Sequence, residues 1–151
     1  MPRMRSKSAS VSPEELLFVG SRCRVLATSQ STGGKYGLVD MIEVAPGDMP
    51  PLHVHHTHDE GFLLLDGELS LFLPDREIAL RAGEFVLAPC GVPHTYQVGN
   101  VPARWLVLSM PAGFERFVED VAALDELTPE SLTATAAARG IEILGPPGTM
   151  P

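Results

Sequence analysis

The sequence predicts a single, mainly β domain, an antiparallel sandwich or barrel with a short helical extension at its C-terminal end. Three observations carry this. Short runs of alternating apolar and polar residues recur between Arg22 and Met110, giving about eight to ten strand candidates at close spacing. Fourteen Gly and fourteen Pro punctuate them against only 6% aromatics, which suits many tight turns better than a helix bundle. After Met110 the apolar period changes from two residues to that of a helix.

Taken in order, Pro13 to Leu16 reads as one helical turn and Arg22 to Ser29 as the first strand. Ser31 to Lys35, with Gly33 and Gly34 at its centre, is turn chemistry, and Tyr36 to Val44 resumes as strand. Pro50-Pro51 keeps the backbone extended as it enters a histidine-rich segment. Glu60 to Leu65 and Glu68 to Leu73 flank Asp66-Gly67, a two-residue hairpin signal. Glu77 to Leu80, Glu84 to Ala88, His94 to Val98 and Arg104 to Met110 complete the strands. Phe114, Phe117, Val118, Val121 and Leu124 then fall at helical spacing, with Phe114 and Phe117 expected to pack over an edge or one mouth of the barrel. Thr128 reads as a cap with Pro129 at the first helical position, and Gly140 as the end of that helix. Ile141 to Leu144 is expected to dock, and the Gly145-Pro-Pro-Gly stretch to form a loose tail. The organisation expected is an arm over 1–19, a barrel over 20–110, and a helical extension and tail over 111–151.

Composition excludes several function classes. A net charge of −8 argues against a nucleic-acid partner, because phosphates need a basic surface. There is no long apolar run to span a bilayer, and serines stand where a signal peptide needs an apolar core, so the expected location is the cytoplasm. Cys23 and Cys90 form no CxxC pattern and predict no disulfide framework.

Four of the five histidines, His53, His55, His56 and His58, lie within six positions, and Glu60 follows. On a strand His53 and His55 leave on one face, and two imidazoles with a nearby carboxylate suit a divalent first-row metal. The fifth, His94, ends a Pro-rich turn that could return it to the same place. His56 points the other way on a regular strand, and His58 lies in the bend before Glu60. Both are expected outside the ligand set, with His58 supporting it or sitting at the mouth. Asp59 reads as a solvated or loop-fixing carboxylate, and Cys90 as a small packed turn residue. Phe62, Leu64, Tyr96 and Val98 share the parity of Glu60 or His94 and are expected to line an apolar substrate pocket.

The pattern Gly47-x5-His53-x-His55-x4-Glu60-x6-Gly67, followed by Gly83-x5-Pro89-x-Gly91-x2-His94, resembles the two signature motifs of the cupin superfamily. One position departs: Val98 stands where an asparagine is usual, with Asn100 two residues on, which puts local turn geometry in doubt and not the ligands. The Phe114-Glu-Arg-Phe segment and the helical tail also look like small single-domain cupins described as quercetin 2,3-dioxygenase-like.

The resemblance implies a double-stranded β-helix, or jelly-roll, barrel holding one divalent metal per chain (Fe, Ni, Mn, Co, Cu or Zn) on His53, His55, Glu60 and His94. It implies a metal-dependent dioxygenase acting on a flavonol-like or other enolisable aromatic hydroxy-ketone, with Glu60 as ligand, catalytic base, or each in turn. The alternatives are a non-redox cyclase or isomerase of polyketide-type secondary metabolism, and a small-molecule-binding cupin without catalysis. A homodimer is expected, with N-terminal strands crossing between barrels.

Overall fold

The computed structural model describes residues 13–151. Within them run β1 (Glu15–Phe18), β2 (Ser21–Ala27), a one-turn α1 (Ser29–Thr32), β3 (Gly37–Val44), β4 (Pro51–His55) and β5 (Asp59–Asp66). There follow β6 (Leu69–Leu73), β7 (Arg76–Leu80), β8 (Phe85–Ala88), β9 (Thr95–Val98), β10 (Ala103–Met110), α2 (Phe114–Ala122), α3 (Pro129–Ala137) and β11 (Ile141–Pro147).

Every strand pairing is antiparallel. One layer is a six-stranded sheet in the order β1-β2-β3-β10-β5-β8. The other is built from β7-β6-β9 and β11-β4, joined by a bridge between His53 and His94. Side-chain alternation puts the core between the layers: on β10, Ala103, Trp105, Val107 and Ser109 are buried while Arg104 and Met110 are exposed. Val39 and Met41 of β3, Phe62 and Leu64 of β5, and Trp105 and Val107 pack in one cluster with Leu69, Leu71 and Val98 of the second layer. The rings of Tyr96 and Trp105 meet across the gap at 5.1 Å. This is a jelly-roll barrel with two helices and a last strand added at its C-terminal end.

Helix α2 buries Phe114, Phe117, Val118 and Val121, the face its spacing predicts. Helix α3 starts on a reciprocal cap: Thr128 Oγ1 accepts from Ser131 N at 3.0 Å, while Ser131 Oγ accepts from Thr128 N at 2.8 Å. Pro129 occupies the first turn, and Gly140, at φ 72°, redirects the chain into β11.

Three expectations are corrected. Glu15 to Leu16 is not a helical turn but part of β1, because its backbone pairs with β2 in the register Glu15↔Arg24 and Leu16↔Cys23, and Glu15 lies between Arg22 and Arg24. The arm expected over 1–19 otherwise lies outside the described residues up to position 12. Asp66-Gly67 does not close a hairpin, since β5 and β6 belong to different layers and the turn carries the chain from one to the other. Gly145 to Pro147 is not a loose tail: it belongs to β11, which pairs with β4 along its length.

Gly67 is required at that crossing. Its φ is 85°, and a Cβ there would lie 2.6 Å from the Pro102 carbonyl oxygen and 2.9 Å from Ala103 Cα, both backbone atoms that cannot swing aside. Gly67→Ala is expected to destabilise the fold by about 1–3 kcal/mol. Urea unfolding measures this, and an unchanged midpoint would contradict the packing described.

Candidate metal centre

The site forms where the two layers approach. Strand β4 carries His53 and His55, both turned toward the gap. The loop after β8 returns His94 beside them, where His53 N donates to His94 O at 3.2 Å and His94 N to His53 O at 2.9 Å. Gly91, at φ 80°, makes that return possible, and its N–H donates to the His55 carbonyl at 2.8 Å. Glu60 comes from the opposite layer, near the start of β5, where it pairs with Ser109 and Ala88. One ligand atom from each of His53, His55, Glu60 and His94 lies within 4.8 Å of all the others.

The geometry suits a cation. His53 Nδ1–H donates to Pro51 O at 2.7 Å and His94 Nδ1–H to Val92 O at 3.2 Å, which leaves both Nε2 atoms for the centre. His94 Nε2 lies 3.2 Å from Glu60 Oε2. His55 Nε2 is 2.6 Å from the same oxygen, yet it is buried and out of line for any hydrogen bond. An orphaned buried nitrogen, one of three gathered around a single carboxylate, fits a centre built to hold a cation. Three imidazoles and one carboxylate, with no thiolate, match a divalent first-row metal and not a closed structural zinc site.

Protonation agrees with this. Burial pushes the His53 imidazole down to about 3, so it stays neutral and able to bind metal. Burial raises the Glu60 carboxyl, but His55 and His94 outweigh it and hold the group well below its ordinary range. The carboxylate is therefore ionised and negative inside the protein.

The remaining candidates separate clearly. His56 is exposed and pairs with Glu142 at 2.8 Å, away from the cluster. His58 is buried, its Nε2 2.6 Å from His55 Nδ1, and burial lowers it to about 4. Asp59 fixes the loop, its Oδ1 accepting from Cys90 N at 2.8 Å. Cys90 is exposed, not packed.

The centre opens into a cavity of about 710 Å³. Of the four residues expected to line a pocket, Tyr96 does so. Phe62, Leu64 and Val98 do not: each is buried in the core, because at their level side chains from both layers fill the barrel. Sequence reasoning places Phe114 and Phe117 over an edge or mouth of the barrel but misses the rest of the wall. Asp48 and Met49 precede β4, and Phe114, Phe117, Leu132, Ile141 and Ile143 come from the C-terminal extension. The Ile141-x-Ile143 alternation is the signal that could have added the last strand to that wall. Among the described residues no Lys or Arg lines the cavity, and burial raises the Asp48 carboxyl.

Residues 40–109 match the family described as Cupin domain. Over 97 residues, 64% of this chain, the sequence is 35% identical to quercetin 2,3-dioxygenase of Bacillus subtilis, of which it spans 28%. Over 86 residues, 56% of this chain, it is 34% identical to the tetracenomycin polyketide synthase protein TcmJ of Streptomyces glaucescens, of which it spans 58%. The polyketide cyclase RemF from Streptomyces resistomycificus superposes with a TM-score of 0.52 at 27% identity, over 65% of this chain and 68% of that one. The chain thus spans less than two thirds of the two curated relatives, quercetin 2,3-dioxygenase and TcmJ. The matched residues carry the donor cluster and the strands that hold it: residues 40–109 are a cupin domain, and that domain resembles quercetin 2,3-dioxygenase.

Proposed function

We propose that the chain is a metal-dependent enzyme, and specifically a dioxygenase acting on a flavonol-like or other enolisable aromatic hydroxy-ketone. The observation that carries the reading is the four-donor cluster at one end of a largely apolar cavity that no Lys or Arg lines among the described residues. Such a wall offers no counter-charge to a phosphate or carboxylate, and it fits a neutral, planar organic molecule. The likeness to quercetin 2,3-dioxygenase supports the oxygenase form.

His53, His55, His94 and Glu60 would hold one divalent ion, Fe, Ni, Mn, Co, Cu or Zn. When bound it supplies a Lewis acid for an enolate oxygen and, if redox-active, an electron source for dioxygen. The protein does the rest. Phe114, Phe117, Leu132 and Ile143 exclude water and flank a flat ring system. Glu60 Oε2, ionised and beside both His55 and His94, takes the substrate's hydroxyl proton when it is not engaged as ligand.

A second reading, a non-redox cyclase or isomerase of polyketide-type secondary metabolism, has support of its own in the comparisons. The chain spans 58% of TcmJ and 68% of the polyketide cyclase RemF, against 28% of the dioxygenase. In that case the same centre polarises a carbonyl and Glu60 moves protons. A binding protein without catalysis would not need the full donor set.

We also propose a homodimer. Leu63, Leu65, Phe85, Leu87 and Leu108 turn outward on neighbouring strands of the six-stranded sheet, and several are well exposed, which supports pairing through that face. No helix among the described residues is long and apolar enough to cross a membrane. The cytoplasm remains the proposed location.

The double variant His53→Ala/His55→Ala is expected to lose all metal, whereas His56→Ala keeps it. Elemental analysis decides, and stoichiometric metal in the double variant would refute the ligand set. Glu60→Gln is expected to lower turnover about 10²–10⁴-fold with a much smaller loss of metal if it acts mainly as base. Matched losses would make it chiefly a ligand. Oxygen uptake with quercetin by the metal-loaded protein separates the two enzyme readings, and ring closure without oxygen consumption would favour the cyclase.

A further inference from the structure

His53 and His94 face backbone carbonyls with their Nδ1 atoms. A carbonyl only accepts, so both rings carry a proton on Nδ1, and in the neutral ring Nε2 is the free ligand atom. His55 has no such fixed partner. Its Nδ1 meets His58 Nε2 at 2.6 Å, and an imidazole nitrogen can donate or accept.

Two orderings of the same protons satisfy this contact. In one, His55 Nδ1–H donates to His58 Nε2, His58 Nδ1–H donates to Thr57 Oγ1 at 3.0 Å, and the His55 Nε2 lone pair faces the centre. In the reverse, the Thr57 hydroxyl donates to His58 Nδ1, His58 Nε2–H donates to His55 Nδ1, and a proton on His55 Nε2 blocks ligation. No proton is gained or lost between them. Only the first can accept a metal.

The surroundings hold this chain in place. His58 is 1% exposed and meets the His55 ring edge-on at 4.5 Å. A Cβ on Gly113 would lie 2.8 Å from His58 Nδ1. Gly113 has an extended φ of 177°, so room for the imidazole accounts for the glycine and left-handed backbone does not. A Cβ on Gly140 would come within 2.7 Å of Thr57. Both glycines lie in the segment after β10, outside residues 40–109, so the C-terminal extension frames the Thr57–His58 pair. Thr57 itself is exposed, and the chain runs from the buried centre to the surface.

We propose that His58, oriented by Thr57, is a positioning residue that sets the tautomer of His55 and thereby the affinity of the centre for a divalent metal. The proposal rests on the metal reading above. Zinc titration against a chelating indicator tests it in full-length protein. His58→Phe is expected to weaken zinc binding roughly 10–100-fold. His58→Gln, whose Oε1 can accept where Nε2 did, is expected to recover most of that loss, and Thr57→Val to fall between. Equal losses in His58→Phe and His58→Gln, or a His58→Phe affinity within twofold of wild type, would overturn it. Imidazole nitrogen NMR of the metal-free protein separates a failure of the metal reading from a failure of the relay. If wild type takes up neither zinc nor any of the other divalent ions named above, the metal reading fails. The relay still stands or falls on a proton shared between His55 Nδ1 and His58 Nε2: its presence in wild type and loss in His58→Phe support it, and its absence overturns it.

Discussion

Two backbone hydrogen bonds between His53 and His94 are the joint on which the rest depends. They connect β4 to the start of β9 and so join the two strand groups of the second layer. They also bring together residues forty-one positions apart (94 minus 53). With that joint made, the alternation of β4 delivers His55 to the same side, and β5 needs only its ordinary inward parity to place Glu60 opposite. The last strand, β11, pairs with β4 in the register Ile143↔His53 and Ile141↔His55, so the strand carrying both imidazoles is held on both edges. The C-terminal extension therefore supports the centre from behind while forming a wall of the cavity.

The electrostatics follow from burying a charge where nothing fully repays it. Glu60 is 3% exposed, and the nearest imidazole nitrogen, that of His55, is badly aligned to donate to it. Taking a carboxylate out of water costs several kcal/mol unless it is paired. Glu115 shows the contrast within the same chain. It is equally buried, but its two oxygens accept from Ser29 N at 3.2 Å and Gly113 N at 2.8 Å, tying the loop after β2 to the start of α2. Gly37 lacks a side chain because Glu115 occupies that space. One buried carboxylate is satisfied by the backbone and serves the fold. The other lies among three imidazoles in a group that could hold a cation.

Local chemistry was readable and long-range pairing was not. The His53/His55 parity, the Thr128 cap, the apolar face of α2 and most strands of the barrel follow from spacing within a few residues, which sequence displays directly. The motif spacing also pointed to the four donors that the fold gathers. Asp66-Gly67 misled because a two-residue turn signal reports the bend and not which strands pair beyond it. Glu15 to Phe18 became strand through ion pairs and backbone bonds to β2, and Gly145 to Pro147 through pairing with a strand some ninety residues earlier (on the order of a whole small domain away). Parity put Phe62, Leu64 and Val98 inside the barrel. It could not say that the interior there is solid and that the open space lies toward the C-terminal extension.

The central claim is that four side chains from two strands and one loop form a metal centre. Its most direct test is elemental analysis of untagged protein purified without chelator or added metal, repeated after incubation with each first-row divalent ion. The account predicts about one divalent ion per chain at a site of this donor set. A protein that takes up none under any of these conditions would contradict it.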